Sequence, residues 1–370
     1  LKGDKPPLNN YQSLAIDHQR ERLYFYGGAR TYDDGDTPTC DFFCLDLRTM
    51  KWQNLTNSLR FRPVPDPFAK NGPEFELRSL PALTEPAIDL MSLGDGTFLF
   101  LFGGHDSNNP TGDLIAIDLD EYTWWFVDVA STNVDFSKPP TPIKPRLSAS
   151  MVALDNQLFI FGGRTQFEDD SVLETYSVAV YNSDNPPKTR WTWTKKDQPM
   201  PPLGFSIQAI AVYNGEKILL TQGRIKNDKP IDLSRESTYF FHTKHHTFQN
   251  ALPTMGDFPT EISWLQLGSF VAGTPSSAAV LPRRRGGPPK NLPGEIIPAM
   301  QPNHTIRPSV VIFGWVKYKD HLVAEGWQYV IPPTETIRCL NLSDMMWDLD
   351  LDLQFFASVG NRLFLIGSEG

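Results

Sequence analysis

RLYFYGG (residues 22–28), TFLFLFGG (97–104) and QLFIFGG (157–163) are three copies of one phrase, and KILLTQG (217–223), DHLVAEG (320–326) and NRLFLIGS (361–368) are worn copies of it. Repetition of this kind indicates an array of similar supersecondary units. Each copy is a run of apolar, β-favouring residues that stops at one or two glycines. The runs are continuously apolar rather than alternating, so both faces of each strand must be covered, and Tyr24, Phe25 and Tyr26 are all expected in the interior although they point in alternate directions. The glycines suit the end of such a strand, where φ above zero or a close backbone approach excludes a side chain.

A second interval recurs with the phrase. A polar residue closing an apolar strand stands the same distance before a large aromatic in Asp46 to Trp52, Asp118 to Trp124, His242 to Phe248 and Asn341 to Trp347. Between Asn182 and Trp191 the interval is longer, because Asn185-Pro186-Pro187 extends the turn. The closing aromatic reads as an outer-strand side chain wedged between neighbouring sheets, where burial contributes about 1.5–3 kcal/mol.

These residues resemble the kelch-repeat family of β-propellers, whose repeat has a strand ending in Gly-Gly, a following strand, and a spaced Tyr or Trp on the outer strand. Gly27-Gly28, Gly103-Gly104 and Gly162-Gly163 match that pattern, while Gln222-Gly223, Glu325-Gly326 and Gly367-Ser368 keep one glycine. The resemblance implies an all-β fold of six four-stranded blades, with seven as the alternative, and a last blade that is incomplete within this sequence. It covers nearly the whole chain except a segment near 253–306. The fold hosts adaptors, scaffolds, lectin-like binders and enzymes, so function must be argued from a site.

Composition and spacing bound the organisation. Repeats share one continuous core, so residues 1–370 read as a single domain. The wide gaps between the glycine phrases at 27 and 103, and at 222 and 325, mark insertions at about 56–77 and 253–306. The first is rich in proline; the second carries Arg283-Arg284-Arg285-Gly286-Gly287-Pro288-Pro289-Lys290 and is long and polar enough to be largely disordered. Both ends are expected to cut the repeat, the missing half-blade lying outside this sequence.

A net charge of −9 argues against a nucleic-acid footprint, and no apolar run is long enough to cross a bilayer. Three cysteines, Cys40, Cys44 and Cys339, make no disulfide framework, which favours a cytoplasmic or nuclear location. Three N-x-S/T sequons, at Asn54, Asn303 and Asn341, are read as chance occurrences.

A galactose-oxidase-like copper site needs a Cys cross-linked to Tyr with further Tyr and His ligands; Cys40 and Cys44 read instead as small apolar residues beside Phe42 and Phe43. His242-Thr243-Lys244-His245-His246 is a metal candidate by composition, but its place in a turn favours a solvated loop. Asp33-Asp34-Gly35-Asp36 and Glu168-Asp169-Asp170 lack an EF-hand's spacing and read as loop tips. No catalytic group, metal or cofactor is therefore expected.

One pattern points to a site. Directly after the glycine positions stand Arg30, His105, Arg164, Arg224 and Trp327, with Tyr329 close behind. Repeat geometry would bring them to one rim, where guanidinium groups either bind an acidic or phosphorylated segment of a partner or tie blades together through neighbouring carboxylates. The expected function is a non-enzymatic protein-binding module, an adaptor or scaffold by resemblance; the alternative is a galactose-oxidase-like or carbohydrate-binding propeller. The residues expected to carry the fold are Gly27, Gly28, Trp52, Gly103, Gly104, Trp124, Gly162, Gly163, Trp191, Gly223, Phe248, Gly326 and Trp347.

Overall fold

The computed structural model describes residues 2–7, 9–32, 35–62, 78–93, 96–127, 129–131, 143–154, 156–165, 176–183, 188–195, 200–201, 203, 206–212, 216–224, 238–251, 255–256, 262–272, 307–318, 321–330, 338–341, 351–359 and 362–369. None of these residues is helical. Two compact units divide the chain, Leu1–Lys229 with Thr238–Asn250, and Pro230–Ser237 with Ala251–Gly370.

The first unit contains four successive sheets. Strands β1 (Lys2–Gly3), β2 (Ser13–Asp17), β3 (Arg22–Tyr26), β6 (Phe42–Asp46) and β7 (Lys51–Asn54) make the first, in the order β1-β7-β6-β3-β2; the hairpin of β4 (Ala29–Tyr32) and β5 (Gly35–Pro38) follows the first glycine pair. The second sheet holds β8 (Arg60–Phe61), β9 (Ala87–Leu93), β10 (Gly96–Phe102), β11 (Leu114–Asp118) and β12 (Thr123–Phe126). The third holds β13 (Val129–Ser131), β14 (Leu147–Leu154), β15 (Gln157–Arg164), β16 (Tyr176–Ser183) and β17 (Lys188–Lys195). The fourth holds β18 (Ser206–Val212), β19 (Lys217–Arg224), β20 (Thr238–His242) and β21 (Thr247–Asn250).

In every one of these sheets the glycine phrase is the second of four antiparallel strands and the spaced aromatic lies on the fourth. Its alternate residues face opposite neighbours. Along β10, Leu99 and Leu101 pack with Tyr24, Tyr26 and Phe42 of the first sheet, whereas Phe100 and Phe102 pack with Met151, Leu158 and Ile160 of the third. Along β15, Leu158 and Ile160 turn back to the second sheet while Phe159 and Phe161 meet Ile218, Leu220 and Phe241 of the fourth. The continuous apolar runs are thus strands covered on both faces, and the first strands β2, β9, β14 and β18 are successive neighbours.

The turn between third and fourth strands explains the recurring interval. Asp46 Oδ1 accepts the N–H groups of Arg48 and Thr49, and Asp118 Oδ1 accepts those of Asp120 and Glu121. Side-chain capping of this kind mimics a backbone turn. Met50, Tyr122 and His246 then adopt positive φ, at 54°, 54° and 55°, immediately before the fourth strand. Trp52 and Trp124 follow and are buried; Trp124 packs 4.7 Å from Phe61, and its Nε1 donates to Arg78 O at 3.2 Å. Trp191 lies on β17 and Phe248 on β21, partly buried, 5.1 Å from Phe241; Trp347 falls outside the described residues.

The second unit contains β22 (Met255–Gly256), β23 (Ile262–Ala272), β24 (Arg307–Tyr318), β25 (His321–Val330) and β26 (Arg338–Asn341) in one sheet, and β27 (Leu351–Val359) with β28 (Arg362–Glu369) in a hairpin. Here β23 neighbours β27, as first strands do in the other unit.

Three expectations change. Blades of four strands become sheets of five wherever β1, β8, β13 or β22 adds a short strand parallel to the fourth, in register pairs such as Arg60 with Thr123. Strands of two or three residues carry no periodicity, which is why they were invisible in sequence. Segments 56–77 and 253–306 are not purely insertions, since β8 falls in the first and β22 and β23 in the second; residues 63–77 and 273–306 lie outside the described residues. Finally, the phrase at 320–326 is a third strand. The second strand of that sheet is β24, whose Val310-Val311-Ile312-Phe313-Gly314 is the true counterpart of the glycine phrases.

Candidate functional site

The residues where each first strand begins and each second strand ends lie at one end of the sheets. Gly27 and Gly28 have φ of 67° and 86°, and Gly103 and Gly104 have 67° and 93°. The N–H of Gly28 donates to Leu83 O at 2.9 Å, and that of Gly104 donates to Arg146 O at 2.8 Å. Each second glycine therefore bonds to the lead-in of the following sheet. A Cβ on Gly27 or Gly103 would run into that same carbonyl. The glycine pair is thus both a conformational and a contact requirement.

Two residues beyond each of these carbonyls the chain takes positive φ without glycine, at Glu85 (50°) and Ser148 (55°), and Tyr11 (58°) is their counterpart in the first sheet. These three form a ladder, with Glu85 N donating to Tyr11 O and Ser148 N to Glu85 O, both at 3.1 Å. Side chains reinforce it. The Ser148 hydroxyl donates to the Glu85 carboxylate, the Arg164 guanidinium lies 3.5 Å from the same carboxylate, and Ser13 Oγ donates to Pro86 O at 2.7 Å.

Positions equivalent to Leu83 carry buried polar groups in the other two sheets. Asn9 Nδ2 lies 3.0 Å from each of Gly27 O, Thr39 Oγ1 and Asp41 Oδ2, three acceptors that share its two hydrogens. Arg146, fully buried, donates from Nη1 to Gly162 O at 2.9 Å and from Nε to Lys144 O at 3.2 Å. Both donate to the carbonyl of the first glycine in their own sheet's pair. Sequence reasoning missed Asn9, Glu85, Arg146 and Ser148, because their repeat position shares a backbone conformation and not a residue type; the usable signal was their fixed offset before the first strand.

The expected site residues are placed as follows. Arg30, on β4, is half-exposed and pairs with Asp41 at 2.8 Å. Arg164 ends β15 and meets Glu85. His105 exchanges two backbone hydrogen bonds of 2.9 Å with Thr84. Burial lowers its pKa, Asp106 and Glu85 oppose that effect, and Arg164 adds to it, so the ring is neutral near pH 7. Glu85 thus brings Arg164 and His105 into one neighbourhood. Arg30 meets a different carboxylate. Arg224 ends β19, and its side chain lies outside the described residues. Trp327 and Tyr329 stand within β25, opposite Asn341 and Cys339 of β26, not in a loop after a second strand. Gly223 is the penultimate residue of β19 and Gly326 is internal to β25.

The other candidates are also located. His242 Nε2 lies 2.9 Å from Gln249 Oε1 and His246 stacks on Phe241, in a turn between third and fourth strands. Among the described residues no three His, Cys, Asp or Glu side chains converge as metal donors. Cys44 is buried opposite Tyr24, and burial pushes its thiol up to about 11. Asp36 is on β5 and not at a loop tip, opposite Thr31 of β4, whose Oγ1 donates to Asp36 Oδ1 at 2.6 Å; Asp33, Asp34 and 168–170 fall outside the described residues. No described helix is long and apolar enough to cross a membrane.

Beside this end of the second sheet is a depression of about 360 Å³ between the Pro81–Leu83 approach to β9 and the loop from Asp106 to Asp113. Tyr11, with nearly half its surface exposed at 49%, is the large apolar side chain most open to solvent among the described residues, and it sits on the ladder next to Glu85.

No protein-family model matches the chain. A stretch of 75 residues is 31% identical to acyl-CoA-binding domain-containing protein 4 of Arabidopsis thaliana, covering 20% of this chain and 11% of that protein. The chain thus matches about a tenth of that relative's length, and the grounds for a repeat architecture lie in the sheets themselves.

Proposed function

We propose that the chain is a kelch-type β-propeller acting as a non-enzymatic protein-binding module, which engages its partner through the end formed by the lead-in turns and the loops after the glycine pairs. The observation that carries this reading is the Tyr11–Glu85–Ser148 ladder, a rigid hydrogen-bonded rim from which loops of different sequence project. Binding residues are commonly displayed on loops set by such a scaffold. Sheets that stack face to face, with first strands adjacent, are the arrangement a propeller requires.

An acidic or phosphorylated segment of the partner would reach Arg30 and Arg164 only in competition with Asp41 and Glu85, which already meet them. A galactose-oxidase-like chemistry needs a reactive cysteine, and burial raises the thiols of Cys40 and Cys44 away from the reactive thiolate.

Affinity capture from native lysate tests the reading, comparing the full chain with an Arg30→Ala, Arg164→Ala, Arg224→Ala variant. A partner recovered by both, with equal affinity, keeps the module and removes the arginines from its recognition; a partner lost by the folded variant assigns it to them. Failure of the full chain to retain any protein specifically would contradict the module.

A further inference from the structure

Asn54-Leu55-Thr56 has the form of an N-glycan acceptor, and in sequence alone it reads as chance. The structure puts it where an acceptor must be. Asn54 is the last residue of β7 and is exposed, whereas Trp52, two residues earlier, is buried. Its Oδ1 accepts Thr56 N at 3.0 Å, an Asx turn that engages the oxygen. The amide nitrogen Nδ2, the atom to which a glycan is joined, meets no acceptor among the described residues. Leu55 N donates to Phe42 O at 2.8 Å and Thr56 Oγ1 accepts Phe42 N at 2.9 Å, so the tripeptide is held on β6.

The other sheets show what this position otherwise holds. Val127 N donates to Leu114 O in the second sheet as Leu55 N donates to Phe42 O in the first, which makes Phe126 the counterpart of Asn54. Phe126 packs 5.5 Å from Trp124. The fourth sheet also exposes an asparagine there, Asn250, but Leu252 stands where an acceptor tripeptide needs Ser or Thr. Only in the first sheet, among these three, do exposure and the tripeptide coincide. Phe42 pairs with Tyr26, next to the glycine pair, so Asn54 lies at the same end as the Tyr11–Glu85–Ser148 ladder; β6 and β3 separate its strand from the first strand β2. The cysteines do not oppose an oxidising compartment. Cys44 is buried, and burial raises the thiols of both Cys40 and Cys44, which disfavours the thiolate that disulfide exchange requires.

We propose that Asn54 is an N-glycosylation site, and that the chain therefore passes through a secretory compartment. The sugar donor is an oligosaccharide linked to a lipid pyrophosphate. A bond forms between Nδ2 and the anomeric carbon of the first sugar, the glycosyl–phosphate bond breaks, the lipid pyrophosphate leaves with the bonding pair, and Nδ2 releases one proton. The glycan grows from the fourth-strand edge, so it flanks the ladder and does not cover it. The proposal stands whether or not this end binds a partner, and it reverses the compartment expected from the cysteine count. A protein bound at the rim would then be a luminal or extracellular one.

Mass spectrometry of the protein isolated from the cells that make it provides the test. Trypsin cuts after Lys51 and Arg60, so Asn54 is released in the short peptide Trp52–Arg60. That peptide should carry N-acetylhexosamine and hexose units, and peptide N-glycosidase in heavy-oxygen water should remove them and leave a labelled aspartate at position 54. Asn250 should stay unmodified. Recovery of Trp52–Arg60 without sugar as its main form overturns the proposal. A second arm expresses the full chain behind a secretory leader in a eukaryotic host, beside Asn54→Asp, which keeps an oxygen for Thr56 N but has no amide nitrogen, and Thr56→Ser, which keeps the acceptor tripeptide. The sugar on Trp52–Arg60 should be present in the parent, lost in Asn54→Asp and retained in Thr56→Ser. A secreted parent chain bare at Asn54 overturns the proposal as well. Should Asn54→Asp fail to fold and be retained in the cell, the native peptide decides alone.

Discussion

Ser148 is bonded twice to Glu85: its backbone N–H donates to the Glu85 carbonyl at 3.1 Å, and its hydroxyl donates to the Glu85 carboxylate. One residue pair therefore joins the second sheet to the third through main chain and side chain together, and Arg164 adds a cation to the same carboxylate.

Replacing Glu85 by Ala should lower stability by about 1–3 kcal/mol, because Ser148 and Arg164 both lose a partly enclosed acceptor. Glu85→Gly removes the same side chain but relieves the positive φ of 50°. The glycine variant should therefore be more stable than the alanine variant by about 1 kcal/mol. Urea midpoints of the two variants check this, and equal midpoints would count against a strained lead-in turn.

Gly103→Ala should be strongly destabilising, by more than about 1–2 kcal/mol, since φ is 67° and the new Cβ would meet the Arg146 carbonyl. The loss should be visible as a lower thermal midpoint and as faster exchange of the Gly104 amide, whose bond crosses to that same carbonyl.

Trp124→Ala removes a fully buried ring that packs on Phe61 and Phe126 and donates to Arg78 O. A cost of about 3–5 kcal/mol is expected from large-to-small truncation in a packed interior. Chemical denaturation provides the measurement. Trp125, on the other face of β12 and partly exposed, should cost less when truncated to Ala.

Asp89 lies in the first strand β9 and accepts Ala153 N of the neighbouring sheet at 2.7 Å and Leu90 N at 2.8 Å. Burial raises its carboxyl from 3.8 to about 6, against the two N–H donors, which favour the charged form. The folded state therefore holds this proton more tightly than the unfolded chain does. That contribution to stability is present below pH 3.8 and is lost as pH rises through about 6. Asp89→Asn should flatten the profile across this window, gaining relative to the parent as pH approaches 7. Thermal midpoints of both proteins from pH 4 to 7 decide it.

The second strands were legible in sequence because Leu99 to Phe102 must be apolar on both faces, and the interval from Asp46 to Trp52 was legible because one capped turn fixes it. The β24 and β25 runs were confused because both are apolar and both contain a glycine, Gly314 or Gly326; only hydrogen-bonded pairing distinguishes second strand from third. At the end where the lead-in turns lie, Asn9, Leu83 and Arg146 share a position with no common chemistry, and so do Tyr11, Glu85 and Ser148. Their role is set by backbone conformation and by contacts to the next sheet, neither of which a residue type announces. The arginines were visible, but the carboxylates that occupy two of them, Asp41 and Glu85, come from a neighbouring loop and from another sheet.

Hydrogen exchange of the full chain, with and without its captured partner, tests most directly whether the rim is the binding end. The account predicts added protection at residues 9–12, 83–86, 105–113 and 146–148. Protection confined to the fourth strands, Lys51–Asn54 and Thr123–Phe126, with the lead-in turns unchanged, would contradict it.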